Sequence, residues 1–176
     1  MKLQTASFSY LLRHWGLLCV LAVLLNLESF ATHNRAGEIT YKYLGSNNGT
    51  YRYEFVITTY TKYEGPAIDA DRCILTIKYS DGTERDITRF NGPSIGDCNA
   101  GVLIDQNGQP TSNGKIKMNQ YKDVHEFPST GWFTISVEDP NRNSGIQNIP
   151  NSVNTPFYVE SKILINPFLS VNNSPI

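Results

Sequence analysis

The chain has 176 residues, with 15 basic and 16 acidic side chains and a formal net charge of −1. It holds no basic tract, so neither nucleic acid nor an anionic membrane surface is implied as a partner. No apolar run reaches the roughly 20 residues needed to span a bilayer, so nothing in the chain predicts membrane insertion once a leader is removed.

The first 31 residues read as that leader. Lys2, Arg13 and His14 make a basic start, residues 15–25 (WGLLCVLAVLL) are apolar, and Glu28-Ser29-Phe30-Ala31 places small residues at −3 and −1 of a cleavage between Ala31 and Thr32. This is the pattern of a secretory signal peptide, and its apolar run is too short for a membrane span. Cys19 lies within that run after Leu18, where a lipoprotein signal needs a small residue, so lipidation is not expected. Removing residues 1–31 leaves 145 residues with 13 basic and 15 acidic side chains, enough for one domain with its own core. Of the three cysteines, Cys73 and Cys98 remain. In an oxidising compartment they suggest one disulfide, whose loop of about 25 residues is worth about 3.5 kcal/mol by chain entropy.

After the leader the apolar periodicity is two, not 3.6. Ile39, Tyr41 and Tyr43 alternate with Glu38, Thr40 and Lys42, which predicts a strand. Asn47-Asn48-Gly49 then predicts a hairpin turn into residues 50–62, where Tyr51, Tyr53, Phe55 and Ile57 share one face and Arg52, Glu54 and Thr58 take the other. Residues 73–79 set Cys73, Leu75, Ile77 and Tyr79 on one face, and Asp81-Gly82 supplies a tight turn into residues 83–90, polar enough for an edge. Residues 91–114 are dense in Gly, Asn, Pro and Ser and read as a long loop with one short strand near 102–104. Residues 115–127 show a weaker strand pattern. Residues 131–139 alternate Phe133, Ile135 and Val137 with Thr134, Ser136 and Glu138. Residues 140–155 form a second polar loop, and residues 156–165 make the last strand. About seven strands in this length predict an all-β, immunoglobulin-like antiparallel sandwich, with a closed barrel as the alternative.

Few residues invite chemistry. Gly92-Pro93-Ser94-Ile95-Gly96 has the letters of a nucleophile elbow, but the elbow needs a strand before it and a helix after, and here both flanks are loop. His33 and His125 are the only histidines outside the leader. His125 has no Cys or His at metal spacing and reads as a structural histidine bonding a loop carbonyl. His33 would reach an N-terminal Cu(II) position only if cleavage fell after Phe30. Asp139, Asn141 and Asn143 follow the i, i+2, i+4 spacing of a calcium loop, yet Ser144 and Pro150 replace the Gly and Glu of an EF-hand. An EF-hand is excluded. A looser Ca²⁺ site, recruiting Asp69, Asp71 or Asp81, is set against the simpler reading that these side chains cap turns. No other metal or cofactor is expected. Trp132 and the tyrosines at 41, 43, 51, 53, 60 and 63 could stack on sugar, although alternating strand aromatics more commonly form core and cross-strand pairs. The alternation puts Trp132 opposite Phe133, so Trp132 faces either solvent or a second covering layer.

Two stretches resemble the polycystic-kidney-disease-type (PKD) domain, a small immunoglobulin-like sandwich. They are Leu75-Thr76-Ile77-Lys78-Tyr79-Ser80-Asp81-Gly82-Thr83, and residues 125–139, which run His125-Glu126-Phe127-Pro128, then Gly131-Trp132-Phe133 and the alternating strand to Asp139. Gly131 is expected to relieve a Cβ clash at the strand entry. A wider resemblance covers most of the chain. Thr32-His33-Asn34-Arg35-Ala36-Gly37-Glu38-Ile39-Thr40-Tyr41, Thr58-Thr59-Tyr60-Thr61-Lys62, Ser136-Val137-Glu138-Asp139-Pro140-Asn141-Arg142-Asn143, Asn148-Ile149-Pro150-Asn151-Ser152-Val153-Asn154 and Ile165-Asn166-Pro167-Phe168 are similar to the N-terminal region of Bacteroidota gliding motility-associated C-terminal domain-containing surface proteins. That resemblance implies type IX secretion, a cell-surface or extracellular location, an adhesin-like role without catalysis, and a polysaccharide or protein ligand. It also implies further domains of the same polypeptide, so the sequence is expected to be a fragment. The expected organisation is a signal peptide over 1–31, a PKD-like sandwich over 32–168 and the start of a linker or a truncated end over 169–176. The alternative function is a carbohydrate-binding accessory module of a secreted hydrolase.

Overall fold

The computed structural model describes residues 34–62, 71–92, 108–140, 142–143, 145–168 and 172–174. Eight strands run in chain order: β1 Asn34–Asn47, β2 Thr50–Lys62, β3 Ile74–Tyr79, β4 Glu84–Thr88, β5 Gln109–Pro110, β6 Ile116–Phe127, β7 Gly131–Asp139 and β8 Phe157–Ile165. They form two antiparallel sheets of four, ordered β1-β2-β6-β5 and β4-β3-β7-β8. Lettered by position, the sheets are A-B-E-D and C′-C-F-G, the arrangement of an immunoglobulin-type sandwich with one strand added to its three-stranded sheet. The leader, its cleavage point at Ala31 and Thr32, His33, Asp69, Cys98, Asn141 and the strand expected near 102–104 lie outside the described residues.

The alternation explains the layers. Tyr53, Phe55 and Ile57 of β2 face Leu75, Ile77 and Tyr79 of β3 and Ile135 and Val137 of β7 across one core, which Tyr121, Phe127, Ile163 and Ile165 complete. Burying each such side chain contributes about 1.5–3 kcal/mol. Most of the tyrosines belong to this core: Tyr53 is buried, Tyr41, Tyr43 and Tyr51 pack against it, and Tyr41 and Tyr43 meet the Tyr53 ring at 6.2 and 5.2 Å.

Turn chemistry sets the registers. Asn48 and Gly49 both have positive φ, 50° and 81°, which is the two-residue hairpin turn that matches strand twist. Its closing pair is Asn47 opposite Thr50. Gly131 differs from the expectation. A Cβ there would meet nothing within 4 Å, and the reason for glycine is its φ of 134° instead. The polar strand β4 lies at a sheet edge, as its composition predicts.

Candidate functional site

The connections β2–β3, β4–β5 and β7–β8 all leave the sandwich at one end. Lys62 pairs with Ile116, Thr88 with Ile74, and Asp139 with Phe157, so the ends of β2, β4 and β7 share that end. The opposite end carries the short turns β1–β2, β3–β4 and β6–β7, while the β5–β6 turn sits at the loop end.

A buried polar cluster anchors the loop end. Asp71 is fully buried at the far side of the β2–β3 connection. Its carboxylate accepts from the Lys117 ammonium at 2.7 Å, the Asn119 amide at 3.0 Å, the Gly108 backbone N–H at 2.6 Å and the Thr61 hydroxyl. Lys117, Asn119 and Thr61 are themselves at most 1% exposed. The Arg89 guanidinium, also fully buried, donates to the Asn119 side-chain oxygen at 3.3 Å and to the Asn91 carbonyl at 2.9 Å. One carboxylate thus ties β2, β6 and the chain entering β5. Gly108 is required by close approach, because a Cβ there would sit 2.6 Å from the Asn119 oxygen and 3.0 Å from Asp71.

The same end is tied in two further places. Residues 89–91 cross from one sheet to the other. The Arg89 N–H donates to the Cys73 carbonyl and the Phe90 N–H to the Gln120 carbonyl, each at 2.9 Å. The Asn91 side chain bridges the Met118 carbonyl at 2.8 Å and the Gln120 N–H at 2.7 Å. Arg72 pairs with Asp139 through two bonds, 2.6 and 3.2 Å, which joins the β2–β3 and β7–β8 connections. Cys73 is buried and disulfide-bonded. Its expected partner, Cys98, lies outside the described residues.

The calcium candidates are placed as follows. Asp139 is buried with both carboxylate oxygens turned to Arg72. Asn143 donates its backbone N–H to the Asn34 carbonyl at 3.4 Å. Asp81 sits at the opposite end of the sandwich from Asp139, and Asp71, at the same end as Asp139, is committed to Lys117, Asn119, Gly108 and Thr61. Among the described residues, no group of three or more His, Cys, Asp or Glu side chains could hold a metal.

At the other end, the two stretches with the PKD-like pattern meet. His125 Nε2 lies 2.7 Å from Asp81 Oδ2, and the His125 ring stacks on Tyr79 at 3.9 Å. His125 therefore bonds a turn carboxylate, not the loop carbonyl expected. Nε2 bonds this carboxylate, and Nδ1 is buried with no hydrogen-bond partner among the described residues. Burial by itself would raise the Asp81 carboxyl, but the Thr83 amide and His125 outweigh it and hold the group below the usual carboxylate range. The Tyr79 hydroxyl donates to Asp123 at 2.7 Å, and Asp123 also takes Arg85 at 3.2 Å. Burial first, then the bond to Asp123, push the Tyr79 phenol far above the ordinary tyrosine range. The Ser80 N–H donates to the Thr134 carbonyl and the Ser80 hydroxyl accepts the Thr134 N–H, each at 2.9 Å, which closes the contact between the two stretches.

Trp132 is 71% exposed on the outer face of β7, so of the two placements its alternation allows, solvent is the one observed. Sequence reasoning missed the Asp71, Lys117 and Arg89 cluster. The signal was present: the inward row of β6, read back from Phe127 through His125 and Tyr121, lands on Asn119 and Lys117.

No family model, curated protein or solved structure matches this chain.

Proposed function

We propose that the protein is a non-catalytic, exported binding module, the N-terminal domain of an adhesin-like surface protein of gliding bacteria. The observation that carries this reading is the loop end: β2, β4 and β7 end together there, the Asp71 cluster ties the roots of the β2–β3 and β4–β5 connections, and the Arg72–Asp139 pair ties that of β7–β8. Immunoglobulin variable domains present their binding loops from the corresponding end of the same strand arrangement. The meeting of Asp81, Tyr79 and His125 supports the PKD-like resemblance, because it joins the two stretches on which that resemblance rests. The absence of catalysis in this reading is supported by how the chemical groups are used. His125 is stacked and bonded in the core, and the Asp71 and Asp139 carboxylates are held by Lys117 and Arg72.

The partner is a surface polysaccharide or a protein reached through the loop end, with further domains of the same polypeptide beside it. An array of glycans and surface proteins, probed with and without EDTA, tests this. Binding that is lost when residues 63–70 or 145–155 are replaced by Gly/Ser linkers supports it. Turnover on a hydrolase panel, abolished by a single Asp or His substitution, refutes it.

One observation favours a second reading, the carbohydrate-binding accessory module. Trp132 exposes its ring on a sheet face beside Thr134 and Lys162, away from the loop end. Glycan binding that disappears in Trp132→Ala and survives loop replacement selects that reading over the first.

A further inference from the structure

Strand β1 is 14 residues long and lies at the edge of its sheet, so its outer backbone groups are a template for another strand. The chain covers this edge with its own segments. Near its start, Asn34 bridges Arg142. Further along, residues 172–174 return from beyond β8, although the sequence reads there as linker. The Ser174 N–H donates to the Tyr41 carbonyl at 3.0 Å, the Tyr41 N–H donates to the Ser174 hydroxyl at 2.7 Å, and the Tyr43 N–H donates to the Asn173 side-chain oxygen at 2.8 Å. Asn172 donates to the Leu164 carbonyl of β8 at 2.6 Å, so the segment straddles the edges of both sheets. It satisfies at Tyr41 and Tyr43 the groups an added strand would use. Mostly side chains serve, and a groove of about 250 Å³ remains beside them, between Thr40, Lys42, Glu54 and residues 173–174.

We propose that residues 172–174 are a displaceable guard on the β1 edge, and that the strand which replaces them is β1 of a second copy. The outward-bonding residues are odd-numbered, as Tyr41 and Tyr43 show. An antiparallel two-fold pair centred on Thr40 places Ile39 opposite Tyr41, so odd residues bond odd residues across the axis. The same register sets Glu38 opposite Lys42 twice, once on each side of the axis. Both are exposed on the outer face, so the register joins opposite charges and no like ones at these positions. The two four-stranded sheets would then continue into one of eight, an isologous dimer. This inference rests on the fold and not on the adhesin reading, which survives its failure.

The test keeps the full chain and changes the guard. Asn172→Ala, Asn173→Ala and Ser174→Pro together remove the bonds to Leu164, Tyr41 and Tyr43. Sedimentation velocity from micromolar to submillimolar protein is expected to show a monomer for the unaltered chain. The triple variant is expected to dimerise with self-association strengthened by about tenfold or more, less so in high salt. Adding Glu38→Lys should return the triple variant to monomer by facing two lysines. Adding Lys42→Glu to that should restore the dimer, with the far-ultraviolet spectrum unchanged throughout as the control for folding. A triple variant that stays folded and monomeric across the range overturns the proposal, as does a dimer indifferent to Glu38→Lys.

Discussion

Replacing Asp71 with alanine removes the acceptor on which the loop end converges. The carboxylate is fully buried and pairs with an ammonium that is 1% exposed, and breaking such a pair from one side costs about 3–5 kcal/mol. The Asn119 amide, the Gly108 N–H and the Thr61 hydroxyl lose the same acceptor, at about 1–3 kcal/mol for each donor left dry. These costs overlap, since water entering the vacated space satisfies several donors together. The expected destabilisation is therefore about 4 kcal/mol, a large share of the roughly 5–15 kcal/mol of a typical domain. At about 3 °C per kcal/mol for a domain of this size, Tm falls by about 12 °C. Urea unfolding followed by far-ultraviolet circular dichroism measures it as a shift of the midpoint at unchanged slope. Adding Lys117→Met to Asp71→Ala removes the buried ammonium and should recover about 2 kcal/mol or more. A loss below about 1 kcal/mol for Asp71→Ala, the range of a surface substitution, would refute the cluster as the anchor.

Gly108→Ala should destabilise by about 1–3 kcal/mol, because its Cβ would press on Asn119 and Asp71, and thermal unfolding against the unaltered chain checks this. Asp81 has a folded pKa held below its unfolded value, so its contribution is complete above about pH 4 and lost as pH falls through the folded value. The stability gap between the unaltered protein and Asp81→Asn should therefore shrink as pH falls below about pH 4; a gap that keeps widening below about pH 4 contradicts the assignment. Trp132→Ala should change stability by no more than about 0.5 kcal/mol, and the Trp132 emission of the leaderless protein should be red-shifted and readily quenched by iodide. For the disulfide of Cys73, the expected partner is Cys98; intact mass 2 Da below the fully reduced protein and a peptide linking the two cysteines would establish it, whereas native alkylation of both thiols would not be compatible.

The strands were legible wherever one row of side chains is apolar. Cys73, Leu75, Ile77 and Tyr79 alternate without a break, and all four are buried. β6 reads weakly because its inward row begins with Lys117 and Asn119, which the rule of apolar inside and polar outside assigns to solvent. They are tolerated inside only because Asp71, distant in sequence, supplies the matching charge and acceptor. No local pattern encodes such a partnership. Arg89 was hidden for the same reason. Its strand reads as an edge, as it is, yet its last inward position turns into the cluster. The guard on β1 was invisible as well, since its contacts join residues more than 120 positions apart through polar side chains of ordinary loop composition. Asp81-Gly82 read correctly as a turn, but its pairing with His125 depends on the two sheets being stacked.

The central claim is that the loop roots belong to the rigid core. Amide hydrogen exchange of the native protein tests it directly at Gly108, whose N–H reaches Asp71, and at Arg89 and Phe90, whose N–H groups bond Cys73 and Gln120. Protection at these three sites equal to that of Phe55 and Ile135 is the predicted result. Exchange at the speed of open loop, while Phe55 and Ile135 stay protected, would contradict it.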